Sequence, residues 1–213
     1  MAKNIERIFI RNARLSFPAL DEKKPVMKGE TKEKYQATFI LEKDNPCVKD
    51  IVEATKRIAH AEFKDKARAV LANATRLPLK DGNLRTTPGY EDKLYIGAKS
   101  DYPPDLVDAN PKRKITDPKE IRDKFQAGYR VNAYVDLFPY THTTGNGISA
   151  SLVSVQFAAY DEAFSGVTTP DASAYPDCSD QAAASADMGK APARGDTSFN
   201  PYEYGGDDAD ILY

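Results

Sequence analysis

Three groups of neighbouring residues combine an aromatic ring with a cationic side chain. Arg14 precedes Phe17, and Tyr95 precedes Lys99. The third group lies within one segment and comprises Arg130, Tyr134, Phe138 and Tyr140. Nucleobases offer a π-face whatever their sequence, so aromatic side chains bind them at about 1–3 kcal/mol per stacked base while cations follow the phosphates. This combination of residue types predicts a surface that binds a single-stranded nucleic acid.

Loop residues extend the same pattern around Tyr95. The chain has 12 tyrosines, 9 phenylalanines and no tryptophan, and some of these rings must belong to the core. We expect Phe17 and Tyr129 to be core residues, whereas the alternation of the surrounding residues favours exposure of Tyr95, Tyr134 and Phe138. The candidate DNA-binding residues are Arg14, Arg85, Tyr90, Tyr95, Lys99, Tyr102, Arg130, Tyr134, Phe138 and Tyr140.

The segment 128–160 is predicted to form two long strands that position the third group. Its odd positions from Tyr129 to Leu137 are mostly apolar, and its even positions carry the polar and aromatic side chains. A period of two places one set on the core and the other on the outer face. The glycines and asparagine of Thr141 to Gly147 predict a seven-residue turn, and a change of phase near Leu152 predicts a bulge in the return strand.

Further strands are predicted on both sides of a long helix. Residues 8–17 alternate with a change of phase that indicates a bulge near Arg11 and Asn12. Residues 35–41 alternate cleanly, and residues 93–100 place Leu94, Ile96 and Ala98 inward and Tyr95 and Lys99 outward. Leu77 to Leu79 suits a short edge strand.

Two helices carry local start signals. Asp44 or Asn45 is a suitable N-cap, Pro46 suits the first turn, and apolar residues including Val52 recur at helical spacing as far as Leu71. A second short helix begins at Asp117, where Pro118 and Glu120 resemble a capping box. The long helix is expected to plug or flank the sheet.

The charge of the chain is divided between two parts. The net charge is −2, but residues 166–213 hold nine acidic and two basic residues, and the preceding part therefore has a net charge of +5. A basic body with an acidic tail is typical of nucleic-acid proteins, although solubility alone also explains it. The tail is rich in Ala, Ser, Asp, Pro and Gly, so we expect it to be disordered.

The tail ends in acidic residues followed by apolar ones, which is the composition of a docking peptide. The carboxylates would steer the peptide to a basic surface, and the last side chains would provide burial. The predicted docking residues are Asp207, Asp208, Asp210, Ile211, Leu212 and Tyr213. We therefore predict a folded domain over residues 1–165 and a flexible acidic tail over 166–213, with a docking tip at 207–213.

The sequence holds few groups for catalysis. It lacks a phosphate-binding glycine loop, a GxSxG elbow, an HExxH motif and paired cysteines, and His60 and His142 are best interpreted as surface residues. Carboxylates at Asp81, Glu91, Asp92, Asp101 and Asp105 leave a metal-dependent nuclease open. We expect no enzyme activity, no cofactor, no metal and no small-molecule substrate.

Several segments in order resemble a phage-encoded family of single-stranded DNA-binding proteins. They are IRNARLSFPAL near the N-terminus, KYQATFIL before the long helix, and GYRVNAYVDLFPY before the acidic tail. The tip DDADILY is similar in kind to the acidic, aromatic-ended tails of bacterial and phage single-stranded DNA-binding proteins. It differs from the bacterial form in ending with Leu212 and Tyr213 rather than proline and phenylalanine.

The resemblance implies an OB-fold, a five-stranded Greek-key barrel that is here mainly β with one long helix, binding one DNA strand across its sheet face. It implies sequence-independent, salt-sensitive binding in phage replication, repair and recombination, with phage or host proteins recruited through the tail. Because no signal peptide or membrane span is apparent, the expected location is the cytoplasm of the infected bacterial cell. A phage nuclease or resolvase and a virion structural protein remain alternatives.

Overall fold

The computed structural model of the chain describes residues 4–26 and 31–164. The chain divides into two units, Met1–Val167 and Thr168–Tyr213, and the second lies outside the described residues. The predictions for the tail and its docking tip therefore lie outside them too. Within the part that is described, no helix is both long and apolar enough to cross a membrane.

The first unit is a β-barrel with short elaborations. Its elements are β1 (Glu6–Pro25), β2 (Glu33–Leu41), α1 (Pro46–Phe63), α2 (Ala67–Leu71), β3 (Leu79–Asp81), β4 (Leu94–Ser100), β5 (Asp105–Val107), α3 (Pro118–Lys124), β6 (Arg130–His142) and β7 (Gly145–Ala159). The strands run in the order β3-β4-β2-β1-β6-β7-β5, and a parallel pairing of β4 with β7 closes β1, β2, β4, β7 and β6 into a five-stranded barrel. This topology confirms the predicted OB-fold, mainly β with helical elaborations.

The core lies inside this barrel and beneath α1. Alternate residues of each barrel strand point inward, as the period of two predicts, and helix α1 covers one end with Ile51, Ala54 and Ile58. The predicted inward set of β6 is confirmed, because Val131, Ala133, Val135 and Leu137 are all buried. The buried strand residues include Ile10, Leu15, Phe39, Leu41, Ile96, Ala98, Val131, Val135, Leu137, Ile148, Leu152 and Val155.

Both predicted bulges are present. The pairing of β1 with β6 shifts between Ile10 and Ala13, where Asn12 adopts a φ of 49°. The pairing of β6 with β7 shifts where Tyr134 and Val135 face Ser154 and Leu152. At each shift, the set of residues that points inward changes by one position along the strand. The bulge also bends the strand, so that it can follow the curve of the barrel.

The connection between β6 and β7 is shorter than predicted. The two strands remain paired as far as His142 and Gly145, so the predicted seven-residue turn is wrong. Gly145 has a φ of 128°, a conformation that glycine adopts without a Cβ clash, and it reverses the chain at the tip. The β6–β7 hairpin therefore extends past the first residue of β1, Glu6, which pairs with Leu137.

The long helix begins as predicted and ends earlier. Asn45 accepts a hydrogen bond from the Cys47 backbone N at 3.0 Å, and Pro46 occupies the first turn. The helix stops at Phe63 because Lys64 adopts a φ of 47°, and helix resumes only in α2 after a 3₁₀ turn. Val52, which the spacing placed on the apolar face, is 36% exposed.

Helix α3 begins at the predicted N-cap, but Glu120 does not complete the predicted capping box. Asp117 accepts from the Lys119 backbone N, whereas the Glu120 carboxylate pairs with Arg113 at 2.6 Å rather than completing a capping box. Hydrogen bonds from Lys124 and Arg113 hold the pKa of Asp108 well below its usual range. These ion pairs join α3 to the loop that follows β5.

We expect Asn45→Ala to lower the free energy of unfolding by about 1–2 kcal/mol, since an N-cap acceptor is lost. Asn45 Nδ2 also donates to the Arg11 carbonyl at 3.0 Å, so the cap ties helix α1 to the first bulge. Asn45→Asp is the matched control because it keeps the acceptor and loses only the donor. Urea denaturation measures all three chains, and equal midpoints for the alanine variant and the original chain would contradict this role.

Candidate nucleic-acid interface

A groove of about 270 Å³ crosses the outer face of β2 and β4 and reaches the β6–β7 hairpin. We call it the β2–β4 groove. In OB-folds this face, together with the neighbouring loops, is where oligonucleotides bind. The residues that line it are Thr38, Thr75, Arg76, Leu77, Pro78, Lys80, Arg85, Tyr95, Gly97, Lys99, Tyr140, Ile148, Ser149 and Ala150.

The charge of the groove has one sign. Arg76, Lys80, Arg85 and Lys99 line it, and none of the described lining residues is acidic. Lys80 lies on the edge strand β3 directly beside Tyr95, and Arg76 donates to the Thr144 carbonyl at the hairpin tip. A concave surface with four cations attracts a polyanion and focuses its field.

The floor of the groove is low because its residues are small. Thr38 of β2 pairs with Gly97 of β4, and Ser149 and Ala150 of β7 line the groove beside them. Gly97 lies in a strand interior, and among the described residues a Cβ at that position would contact only Thr38 Oγ1, at 3.8 Å. A strand glycine that neither a turn nor packing requires marks a place where another molecule can approach the backbone closely.

Tyr95 forms one wall of the groove, but it is covered. It is only 8% exposed, so the predicted exposure is wrong. The Arg85 Cζ lies 4.6 Å from its ring centroid, and the Tyr90 ring meets it edge-on at 5.3 Å. The alternation correctly predicts that Tyr95 points away from the barrel core. Its ring is nevertheless buried, because Arg85 and Tyr90 pack over it on the outer face.

Tyr90 is fully buried in this outer cluster. Its hydroxyl donates to Ser16 Oγ at 2.9 Å, and burial raises its pKa. The ring therefore packs against Tyr95 and Ile40 rather than facing solvent. Its spatial neighbours come from three different strands and loops, which no local spacing in the sequence indicates.

Phe17 was expected in the core and is instead 51% exposed. The pairing of β1 with β2 shifts between Ser16 and Ala19, and this bulge turns Phe17 outward. The Arg85 Cζ lies 5.9 Å from its ring centroid. Sequence reasoning missed Phe17 as a surface residue, although Pro18 directly after it signals an interruption of the strand pairing.

Arg14 and Arg130 do not line the groove, and they contact the residues that follow β7. Arg14 Nε donates to the Gly128 carbonyl at 3.0 Å, and its guanidinium lies 4.2 Å from the Phe164 ring centroid. Arg130 Nε lies 2.6 Å from Asp161 Oδ2. The backbone N–H of Glu162 and the Arg130 side chain lower the pKa of Asp161. These contacts attach residues 161–164 to the barrel.

The remaining predicted aromatics occupy different places. Tyr134 is 43% exposed, and its ring stacks on Phe9 with the ring centroids 4.7 Å apart. Both residues line a second pocket of about 280 Å³, which is separate from the groove. Phe138 is half-buried and pairs across the hairpin with Ser149, close to the groove. Tyr102 is 79% exposed in the loop after β4. Tyr140 lines the groove itself.

The fold thus brings four predicted residues into one groove and adds others. Arg85, Tyr95, Lys99 and Tyr140 come together there although they lie far apart in the sequence. Arg76, Lys80, Thr38 and Gly97 join them without having been predicted. The basic residues around the 3₁₀ turn Ala74–Arg76 and β3 had no aromatic neighbour in the sequence, so the stacking pattern did not select them.

The carboxylates that suited a metal-dependent nuclease are dispersed. Asp105 pairs with Lys114 at 2.8 Å, Asp101 with Lys34 at 3.1 Å, and Asp81 caps a 3₁₀ turn. Across residues 4–26 and 31–164, no three His, Cys, Asp or Glu side chains come close enough to hold a metal ion.

Comparisons with known proteins agree on one family. The model of the Enterobacter phage Enc34 single-stranded DNA-binding protein family matches residues 6–185. Putative protein p50 of Acyrthosiphon pisum secondary endosymbiont phage 1 is 31% identical over 167 residues, which cover 75% of this chain and 87% of its own.

One of the solved structures that resemble this chain comes from the same family. The single-stranded DNA-binding protein of bacteriophage Enc34, solved with single-stranded DNA, is 26% identical with a TM-score of 0.66, over 77% of this chain and 95% of its own. The single-stranded DNA-binding protein gp2.5 of bacteriophage T7 has a TM-score of 0.50 at 13% identity, over 76% of this chain and 89% of its own, which shows likeness of fold alone. The resemblance noted in the sequence is confirmed, and the chain belongs to the Enterobacter phage Enc34 single-stranded DNA-binding protein family.

Proposed function

We propose that this protein binds single-stranded DNA without catalysis, and that the β2–β4 groove is the principal contact surface. The observation that supports this most directly is the composition of the groove, in which four cations and two tyrosines surround a floor of small residues. The family assignment and a similar structure solved with single-stranded DNA support the same conclusion.

The groove suits a single strand because it separates two kinds of contact. Arg76, Lys80, Arg85 and Lys99 are placed to neutralise phosphates, and each neutralised phosphate releases counterions, so affinity falls as salt rises. Tyr140 offers its ring to a base, and a ring binds any base face. Tyr95, which Arg85 and Tyr90 cover, supports the groove wall. Sequence-independent binding follows from contacts that do not read base edges.

The biological role that fits this binding is the coating and protection of single strands during phage DNA replication, repair and recombination, inside the infected bacterial cell. We further propose that the acidic tail lowers affinity for DNA and recruits replication or recombination proteins through Asp207, Asp208, Asp210, Ile211, Leu212 and Tyr213. The charge of −7 in residues 166–213 supports this, because it opposes a basic groove.

The other predicted DNA-binding residues are assigned different roles in this proposal. Phe138, which pairs with the groove residue Ser149, and Tyr102, which is exposed in the loop after β4, are proposed as auxiliary contacts. Tyr134 is proposed as a separate contact on the other pocket, beside Phe9. Arg14 and Arg130 are proposed to act indirectly, since their partners lie at residues 128 and 161–164.

A fluorescence titration with dT oligomers of increasing length, repeated across a salt series, tests the proposed function. The intrinsic tyrosine emission is the signal, since the chain contains no tryptophan. We expect tight binding at low salt and a linear fall of log affinity with log salt. Absence of binding at low salt would overturn the proposal.

Removal of one groove cation should weaken the salt dependence of binding. We expect Lys99→Ala to reduce the slope of log affinity against log salt by about 0.7, the value for one phosphate contact on a single strand. Lys49→Ala, on the exposed side of helix α1, is the matched control and should leave the slope unchanged. Equal slopes for Lys99→Ala and the original chain would remove Lys99 from the interface.

The two aromatic surfaces can be separated by single substitutions. We expect Tyr140→Leu to weaken binding of oligo-dT by about 1–3 kcal/mol, because one stacking ring is lost from the groove. Tyr134→Leu should have a smaller effect, since Tyr134 lies on the other pocket. Thermal unfolding of both variants controls for damage to the barrel. A larger loss with Tyr134→Leu would place the main interface on that other pocket.

Truncation after Ser165 should raise affinity for oligo-dT at low salt. The net charge of −7 in residues 166–213 should compete with DNA for the basic groove, and covalent attachment to the same chain gives the tail a high effective concentration. The difference between truncated and full chains should shrink at high salt, where charge is screened. Unchanged low-salt affinity would exclude competition by the tail.

A further inference from the structure

Phe17 combines two features that a purely structural residue does not need. Its ring is 51% exposed, and its backbone φ is 46°. In this left-handed region the Cβ of a bulky residue crowds its own backbone, which is why glycine is preferred at such bulge positions. Phenylalanine at this position therefore destabilises the backbone relative to glycine, and its half-exposed ring recovers only part of that free energy by burial.

The place of this ring links it to the groove. Ser16, the preceding residue, pairs with Thr38 on the groove floor and accepts the hydrogen bond of the Tyr90 hydroxyl. The guanidinium of Arg85 lies over the Phe17 ring at 5.9 Å and over Tyr95 at 4.6 Å, and Arg85 lines the groove. Phe17 thus stands where the groove meets β1, next to a cation that suits a phosphate.

We propose that Phe17 is a stacking platform for one nucleobase and that it extends the DNA contact from the β2–β4 groove onto β1. The bulge turns the ring outward, and Arg85 is positioned to neutralise the adjoining phosphate. Backbone strain that the surrounding structure holds in place clusters at ligand-binding surfaces, which is where this inference puts Phe17. This inference rests on the proposed function, since it adds a further base site to the same surface.

The inference predicts opposite effects on stability and binding. Phe17→Gly relieves the backbone strain and removes the ring, so its unfolding temperature should equal or exceed that of the original chain while its affinity for oligo-dT falls about tenfold. Phe17→Leu keeps a Cβ and an apolar side chain but lacks a flat ring, and it should lose affinity similarly. Phe17→Tyr should retain binding, since it keeps the ring.

A tryptophan at position 17 reports stacking directly. The chain contains no tryptophan, so Phe17→Trp introduces a single indole whose fluorescence a stacked base quenches. We expect strong quenching on addition of oligo-dT. Tyr160→Trp is the matched control, because Tyr160 is 65% exposed and contacts Tyr129 and Phe157 rather than the groove. Equal quenching at the two positions, or none at 17, would overturn the inference.

A double-mutant cycle separates stacking from a merely supporting role. If Phe17 acts only by holding Arg85, then Phe17→Leu should have no further effect in an Arg85→Ala background. If Phe17 stacks on a base, the loss should persist in that background. Binding by the original chain with unchanged affinity in every Phe17 variant overturns the inference alone, whereas failure of the original chain to bind oligo-dT overturns the proposed function itself.

Discussion

The parallel pairing of β4 with β7 is the interaction on which the candidate site depends. It is short, with Ala98 facing Ala150 and Lys99 facing Ser151, yet it closes the barrel. The alanines allow close approach inside, where both are buried. On the outside, closure brings the hairpin residues Tyr140 and Ser149 beside Gly97 and Tyr95. Without this pairing the groove would have only one wall.

Two residues in or beside the groove are less favourable for the stability of the barrel than other residues would be. Gly97 leaves an unfilled position in the middle of a strand, and Phe17 holds an unfavourable backbone conformation with its ring exposed. Elsewhere the same strands follow local rules closely, with inward apolar residues and paired backbones. Local departures of this kind concentrate at functional surfaces, because a ligand rather than the protein supplies the missing contacts.

Arginines have two roles in this barrel, and composition alone does not separate them. Arg14 and Arg130 are bound to Gly128, Asp161 and the ring of Phe164, and they attach the last described residues to the barrel. Arg85 instead lies over aromatic rings at the groove. Phe164 is one of the residues attached in this way, and it packs against the cluster of Ile40, Tyr90 and Tyr95.

The sequence by itself determined the five barrel strands, the bulges, the cap of α1 and the family, because these depend on periodicity, on local backbone preferences and on ordered segments. It placed the edge strand at Leu77 to Leu79, whereas β3 is Leu79–Asp81, and it missed the short β5. Because aromatic and cationic residues recur together, it also selected Arg85, Tyr95, Lys99 and Tyr140, which line the β2–β4 groove. Only the tertiary structure decided that Tyr90 is buried, that Phe17 is exposed, and that Arg14 and Arg130 lie elsewhere. The physical reason is that a period of two tells which face of a strand a residue occupies but not what packs over that face. Long-range closure of the barrel and the covering loops decide which outward residues meet solvent.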